Sequence, residues 1–167
     1  MLVAGPSGCR QQVFDPREQL PTYPGVTATL EVVDPEAESE DPVGNGITIR
    51  QTIRNDSEAR ITVYATPFLQ ANHVVVWGPE GNKIALTPGG RKNRYPRRGD
   101  VVSSYLDPGA EKERFYALGR LFQISEPGEY TVEIATRFAV RDETGDGAYY
   151  ATDPKPITFT ILDGQTE

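Results

Sequence analysis

Glu126-Pro127-Gly128-Glu129-Tyr130-Thr131-Val132 is the stretch whose reading decides the fold. Pro127 and Gly128 are turn formers: proline fixes its own φ, and glycine accepts backbone conformations that other residues resist. An alternation starts directly after them and runs to residue 140. Tyr130, Val132, Ile134, Thr136, Phe138 and Val140 share one face, while Thr131, Glu133, Ala135, Arg137 and Ala139 take the other. A period of two describes a strand with one buried face and one wet face.

The same period recurs on either side. Val26, Ala28, Leu30 and Val32 alternate with Thr27, Thr29 and Glu31. Ile47, Ile49 and Ile53 alternate with Thr48, Arg50, Thr52 and Arg54, the turn Asn55-Asp56-Ser57 follows, and Ile61, Val63 and Ala65 resume the pattern. This pair reads as a hairpin. Val74-Val75-Val76-Trp77 is a continuous apolar run, expected for a central strand, and Gly78 to Asn82 turns it back into Ile84, Ala85 and Leu86. Strand signals return at Val101 to Leu106 and around Phe115 to Leu118, and Ile157, Phe159 and Ile161 form a last alternating strand. Leu118, Leu121, Phe122 and Ile124 suit one short helical turn plugging the core. No segment of helical length keeps a 3.6-residue apolar period, so the expected class is all-β, an antiparallel sandwich or barrel.

Composition narrows the function. At 167 residues the chain fits one domain with arms or long loops, and it can bury a core without metal or disulfide. The expected layout is an extended proline-bearing arm over residues 1–25, a sandwich over 26–163 and a tail over 164–167. A net charge of −7 argues against general affinity for nucleic acid. A single Cys excludes an internal disulfide, and a single His, His73, excludes a multi-His metal site and leaves little for general-base chemistry. Twenty-four acidic residues offer many carboxylate pairs, as a hydrolase would need, but no spacing singles one out. The expectation is a non-enzyme.

The corner carries a resemblance. Glu126 to Val132 resembles the acidic-x-Gly-x-Tyr-x-Cys signature at the start of an immunoglobulin F strand, where the Tyr hydroxyl ties back to the preceding corner. Val132 stands where that family has Cys, and Trp77 suits the strand-C tryptophan, so the resemblance implies that packing of Val132 against Trp77 replaces the disulfide. Arg54-Asn55-Asp56-Ser57, Tyr105-Leu106-Asp107-Pro108-Gly109 and Leu121 to Tyr130 look like the hairpin, edge and corner of bacterial immunoglobulin-like modules. Such modules precede deuterolysin-like metalloproteases, and a similar layout is seen in intracellular proteinase inhibitors of bacilli. No His-Glu-x-x-His is present, so a protease zinc site is not carried over. The resemblance implies an immunoglobulin-like sandwich of seven to nine strands, with Trp77, Gly128, Tyr130 and Val132 determining the fold, acting as an accessory or interaction domain.

Four segments are candidate sites. Asp142-Glu143-Thr144-Gly145-Asp146-Gly147 partly matches a calcium loop: Asp142, Thr144, Asp146 and Asp153 present oxygens at suitable spacing. The bland alternative is an acidic loop whose glycines permit positive φ. Arg91, Lys92, Arg94, Arg97 and Arg98, with Tyr95 among them, lie in a basic loop over residues 88–100 that offers docking for an acidic protein partner or merely offsets the acidic segment Asp34 to Pro42. Tyr149 and Tyr150 fall in a long loop before the last strand, either as rigid contact area or with one Tyr covering the core edge.

The stretch leading to Cys9 resembles the end of a bacterial lipoprotein signal, although Pro6 replaces the usual Leu and no basic leader precedes it. With a start further upstream, Cys9 would carry lipid and place the protein in the periplasm or at the cell surface, its membrane link being that anchor alone. The alternative is a cytoplasmic protein with an incidental thiol.

The favoured expectation is a protein-binding or structural accessory subunit of a bacterial assembly, docking through its arm and long loops. A protease inhibitor of the same fold is the second, and a carboxylate-based hydrolase the third. No cofactor other than calcium is expected.

Overall fold

The computed structural model describes residues 20–33, 47–66, 68–95, 102–141 and 147–162. These form nine strands: β1 (Val26–Val33), β2 (Thr48–Asn55), β3 (Ile61–Thr66), β4 (Asn72–Trp77), β5 (Val102–Leu106), β6 (Glu111–Ala117), β7 (Gly128–Arg141), β8 (Gly147–Ala151) and β9 (Ile157–Ile161). Three short helices, α1 (Phe68–Ala71), α2 (Pro88–Arg94) and α3 (Leu118–Leu121), join them.

All strand pairs are antiparallel. The smaller sheet runs β1-β2-β6, and the larger runs β4-β7-β3-β5 with β8 and β9 also on β7. The 14 residues of β7 are long enough to hold two partners on each edge. Phe138 pairs Val63 of β3 and Tyr150 of β8, while Val132 pairs Val76 of β4 and Ile157 of β9. At the midpoint Asn72 meets Thr136 from one side, and Thr152 bonds to Thr136 from the other. So β3, α1 and β4 follow one edge of β7, and β8 and β9 follow the other. With each of these broken strands counted once, three strands face four, an all-β immunoglobulin-like sandwich without a disulfide.

The corner forms as its residues imply. The Tyr130 hydroxyl donates to the Glu126 carbonyl at 2.8 Å and accepts from the Glu126 amide at 3.2 Å. Gly128 sits at φ 138°, and a Cβ there would lie 2.6 Å from the Pro79 ring. Only glycine combines that backbone with that approach. Two of the motifs that resemble bacterial modules also meet. Asn55 Nδ2 donates to the carbonyls of Ala59 and Leu106, Asn55 Oδ1 accepts from Ser57, and the Gly109 amide bonds to the Asn55 carbonyl. One buried side chain thereby ties the end of β2 to the end of β5 in the opposite sheet.

The interior has two apolar clusters. One gathers Ile49, Phe68, Leu69, Val74, Val76, Tyr130, Val132 and Ile134 with the α3 plug of Leu118, Leu121, Phe122 and Ile124. The other gathers Val26, Ala28, Ile53, Ile61, Val63, Leu106 and Phe138. Between them lies a polar layer. Gln51, inward-facing between Ile49 and Ile53, donates to Thr136 Oγ1 at 2.6 Å, and the Thr136 amide donates to Thr152 Oγ1 at 3.0 Å.

Four expectations are corrected. Residues 47–65 do not form a hairpin: β2 and β3 belong to different sheets, and the Asn55-Asp56-Ser57 turn carries the chain across the sandwich. Trp77 does not pack on Val132. Along β4 the buried set is Asn72, Val74 and Val76, so alternation turns Trp77 outward, under the Lys83 ammonium at 5.1 Å, and Val76 is the residue in register with Val132. The basic loop holds helix α2, started by Thr87, whose hydroxyl accepts from the Gly90 amide, with Pro88 at its first turn. The stretch before the last strand holds β8.

Candidate functional site

The outer face of the larger sheet collects tyrosine and arginine from four strands. Register aligns Tyr105 of β5 with Thr62 of β3, Thr62 with Ala139 of β7, and Ala139 with Tyr149 of β8. The row beside it aligns Ser103 with Tyr64, and Arg137 with Ala151. Thr62 and Ala139 form a floor, 6% and 5% exposed although they face away from the core. Large side chains stand around that floor, with Tyr105 65% and Tyr149 40% exposed.

Arg137 organises the cluster. Its guanidinium carbon lies 3.8 Å from the Tyr149 ring centre and 6.0 Å from that of Tyr64. Tyr64 and Tyr149 meet hydroxyl to hydroxyl at 3.4 Å. The Tyr64 hydroxyl is pushed up to about 12, first by burial and then by the Tyr149 hydrogen bond, with Arg137 and Arg141 acting the other way. It therefore stays a neutral donor and acceptor at physiological pH. Arg60 lies 5.7 Å from the Tyr105 ring centre and pairs with Asp107 at 2.5 Å. Stacked arginine and tyrosine lose little freedom when a partner covers them, and they are enriched where protein interfaces concentrate their binding energy.

The tyrosine pair read from the sequence divides. Tyr149 joins this outer face, whereas Tyr150 turns inward, 5.9 Å from the Phe138 ring centre and 4.9 Å from that of Tyr23. Neighbours on a strand point to opposite faces, so the pair cannot act as one contact element. Tyr23 and Pro21, at the end of the expected arm, are docked: Tyr23 packs on Phe138, and the Ala151 amide bonds to the Pro21 carbonyl at 3.1 Å. Tyr64, Arg60 and Arg137 are not among the site candidates that the sequence offers, and Tyr105 figures there only in the edge motif. Tyr64 and Arg137 do fall on the wet phase of their strands, but only register brings them together.

The basic segment forms a second patch. Arg91, Lys92 and Tyr95 are exposed on α2 and its cap, and Arg91 Nη1 donates to the Leu86 carbonyl at 3.1 Å. The Arg94 and Lys83 charges, after burial itself, lower the pKa of half-buried His73 on β4. Arg97 and Arg98 lie outside the described residues, as do Cys9, Asp142, Thr144 and Asp146. Asp153, the remaining expected calcium ligand, is exposed between β8 and β9. Among the described residues no helix is long and apolar enough to cross a membrane.

No protein-family model matches the chain, and no curated protein matches it in sequence. Two solved structures are similar at a distance. The structural-genomics target SoR45 shares 10% identity over 83% of this chain and 87% of its own, with a TM-score of 0.42. A protein described as ApaA from Bordetella pertussis shares 13% identity over 87% of this chain and 98% of its own, with a TM-score of 0.43.

Proposed function

We propose that the chain is a non-catalytic protein-binding module, an accessory subunit of a bacterial assembly, and that it docks through the outer face of β5, β3, β7 and β8. The observation that carries the reading is Arg137 stacked on Tyr149 beside Tyr64, with exposed Tyr105 across the Thr62–Ala139 floor. Rigid aromatic and guanidinium groups around a small-residue depression suit a protein partner. The resemblance of the Asn55, Pro108-Gly109 and Tyr130 motifs to bacterial accessory modules supports the same class. In this reading contact passes from the loops and arm to a sheet face.

The test is affinity purification from the native source with the wild-type chain and with the double variant Tyr105→Ser, Tyr149→Ser. Both positions are exposed, so the variant is expected to unfold within a few degrees of wild type. A partner retained by wild type and lost with the variant supports the proposal. Equal retention by both would refute this face as the contact surface.

A further inference from the structure

A strand at the end of a sheet presents a row of unpaired backbone groups, and folded chains blunt such edges with charge, proline, bulges or a covering segment. The strands that end the two sheets are β1, β4, β5, β6, β8 and β9. All but one of them are blunted. β6 opens with Glu111-Lys112-Glu113-Arg114, an unbroken run of charge. β1 and β9 lie against each other where the sheets meet. On β4 the Val76 carbonyl accepts from the Ile84 amide at 2.9 Å, and on β8 the Ala151 amide donates to the Pro21 carbonyl at 3.1 Å.

The exception is β5. Val102-Ser103-Ser104-Tyr105-Leu106 contains no charge and no proline. One edge pairs with β3, and among the described residues no strand pairs with the other. The irregularity in that pairing places its extra residue, Ala65, on β3, so β5 itself stays regular. Its side chains are open as well, with Val102 55% and Tyr105 65% exposed.

The strand is also complementary to itself. When two copies run antiparallel about Ser104, Val102 of each meets Leu106 of the other, and Ser103 meets Tyr105. Apolar side chains oppose apolar ones, a small one opposes a large one, and no like charges face each other. The two Tyr105 rings fall diagonally across the junction, a separation that aromatic side chains span. β6 offers no such match: the same operation about Glu113 sets Lys112 against Arg114 and Glu113 against itself.

We propose that β5 pairs antiparallel with β5 of a second copy of this chain, about a two-fold axis at Ser104, and joins the two larger sheets into one. The outer faces that carry Tyr64, Arg137 and Tyr149 then continue across a central pair of Tyr105 rings. Each copy spends its open edge on the other, so association closes at the dimer. A ladder this short buries less than the roughly 1,200 Å² of a stable complex, and the expected dimer is reversible, with a Kd on the order of 100 µM. The proposal goes beyond the docking reading and does not rest on it.

Sedimentation equilibrium of the full wild-type chain, from about tenfold below to about tenfold above that Kd, should show a monomer passing to a dimer and to nothing larger. Hydrogen exchange over the same range should slow at residues 102–106 and stay unchanged at residues 111–117; neither measurement needs a variant or a partner. The double variant Val102→Lys, Ser103→Lys places charge on two exposed edge positions. It should remain monomeric throughout and melt within a few degrees of wild type. A wild type that stays monomeric overturns the proposal, as do dimers that persist in the double variant, slowed exchange at a different edge, or assembly beyond two copies. Exchange at residues 102–106 that slows only on adding a partner from the native source gives the edge to a foreign strand and overturns self-pairing.

Discussion

The Tyr130 hydroxyl and the Glu126 backbone carbonyl, four residues apart, are 2.8 Å from each other, and the same hydroxyl accepts from the Glu126 amide. The corner is thus closed from both sides by one side-chain oxygen. The Tyr130 ring is 1% exposed and stacks on Phe159 at 5.4 Å, so the bond anchors a core residue to a surface turn. Tyr130→Phe keeps the stack and removes the tie. The expected loss is about 1 kcal/mol, because water can still reach the freed Glu126 groups. Urea unfolding should show a lowered midpoint with an unchanged slope, and an unchanged midpoint would mean that the bond contributes nothing.

Asn55 is expected to cost more. Its side chain is fully buried and serves Ala59, Leu106 and Ser57 together. Asn55→Ala strands buried carbonyls in both sheets, at a cost of about 3 kcal/mol. Asn55→Asp should be nearly as harmful, since it replaces the donor to two carbonyls with an acceptor. Chemical denaturation of both variants measures this; a loss below that of Tyr130→Phe would show that the crossing is held elsewhere.

Two glycines separate close approach from backbone conformation. At Gly90 a Cβ would lie 2.0 Å from the Leu121 carbonyl oxygen, so Gly90→Ala must push α2 away from α3, at an expected cost of at least about 2 kcal/mol. Gly81 has φ 74° with open space around it, and Gly81→Ala should cost only the left-handed backbone penalty of about 1 kcal/mol. Thermal unfolding of the two variants side by side decides the ranking. Equal effects would deny the tight packing of α2 on α3.

His73 sets an acid-side dependence. Burial first, then Arg94 and Lys83, hold its pKa below 6.5, while Glu133 acts the other way. Above pH 6.5 the folded and unfolded chains both carry neutral imidazole, and this stabilising contribution is fully present. As pH falls below 6.5 the unfolded chain takes up the proton first, so stability drops until pH has passed the lowered folded value. His73→Gln should flatten the fall in melting temperature just below pH 6.5 and leave values near pH 8 unchanged in slope. Parallel profiles for the two proteins would remove His73 as the cause.

The parts of the fold legible in the sequence are those that depend on near neighbours. The alternation over residues 130–140 marked the buried face of β7 through Phe138. Leu118, Leu121, Phe122 and Ile124 announced the plug, and Glu126 to Tyr130 announced the corner. Each rests on side-chain period, turn chemistry or a bond across four residues. The β2–β3 crossing reads as a hairpin in the sequence because two alternating runs with a turn between them look the same in either case. The sequence places Trp77 inside because an unbroken apolar run hides its own phase, and only pairing with β7 shows that Val74 and Val76 face the core.

By itself, then, the sequence determined an all-β chain, the wet and buried phases of its clearest strands and the tied corner at Tyr130, since these follow from backbone geometry and local chemistry. Tertiary structure alone decided which strands share a sheet. It thereby decided that Tyr64, Tyr105, Arg137 and Tyr149 meet on one face and that Gln51 and Arg114 lie inside. Period-two alternation assigns a residue to a side of its own strand, whereas a site spanning four strands depends on register, which is set by how the two sheets close over their common core.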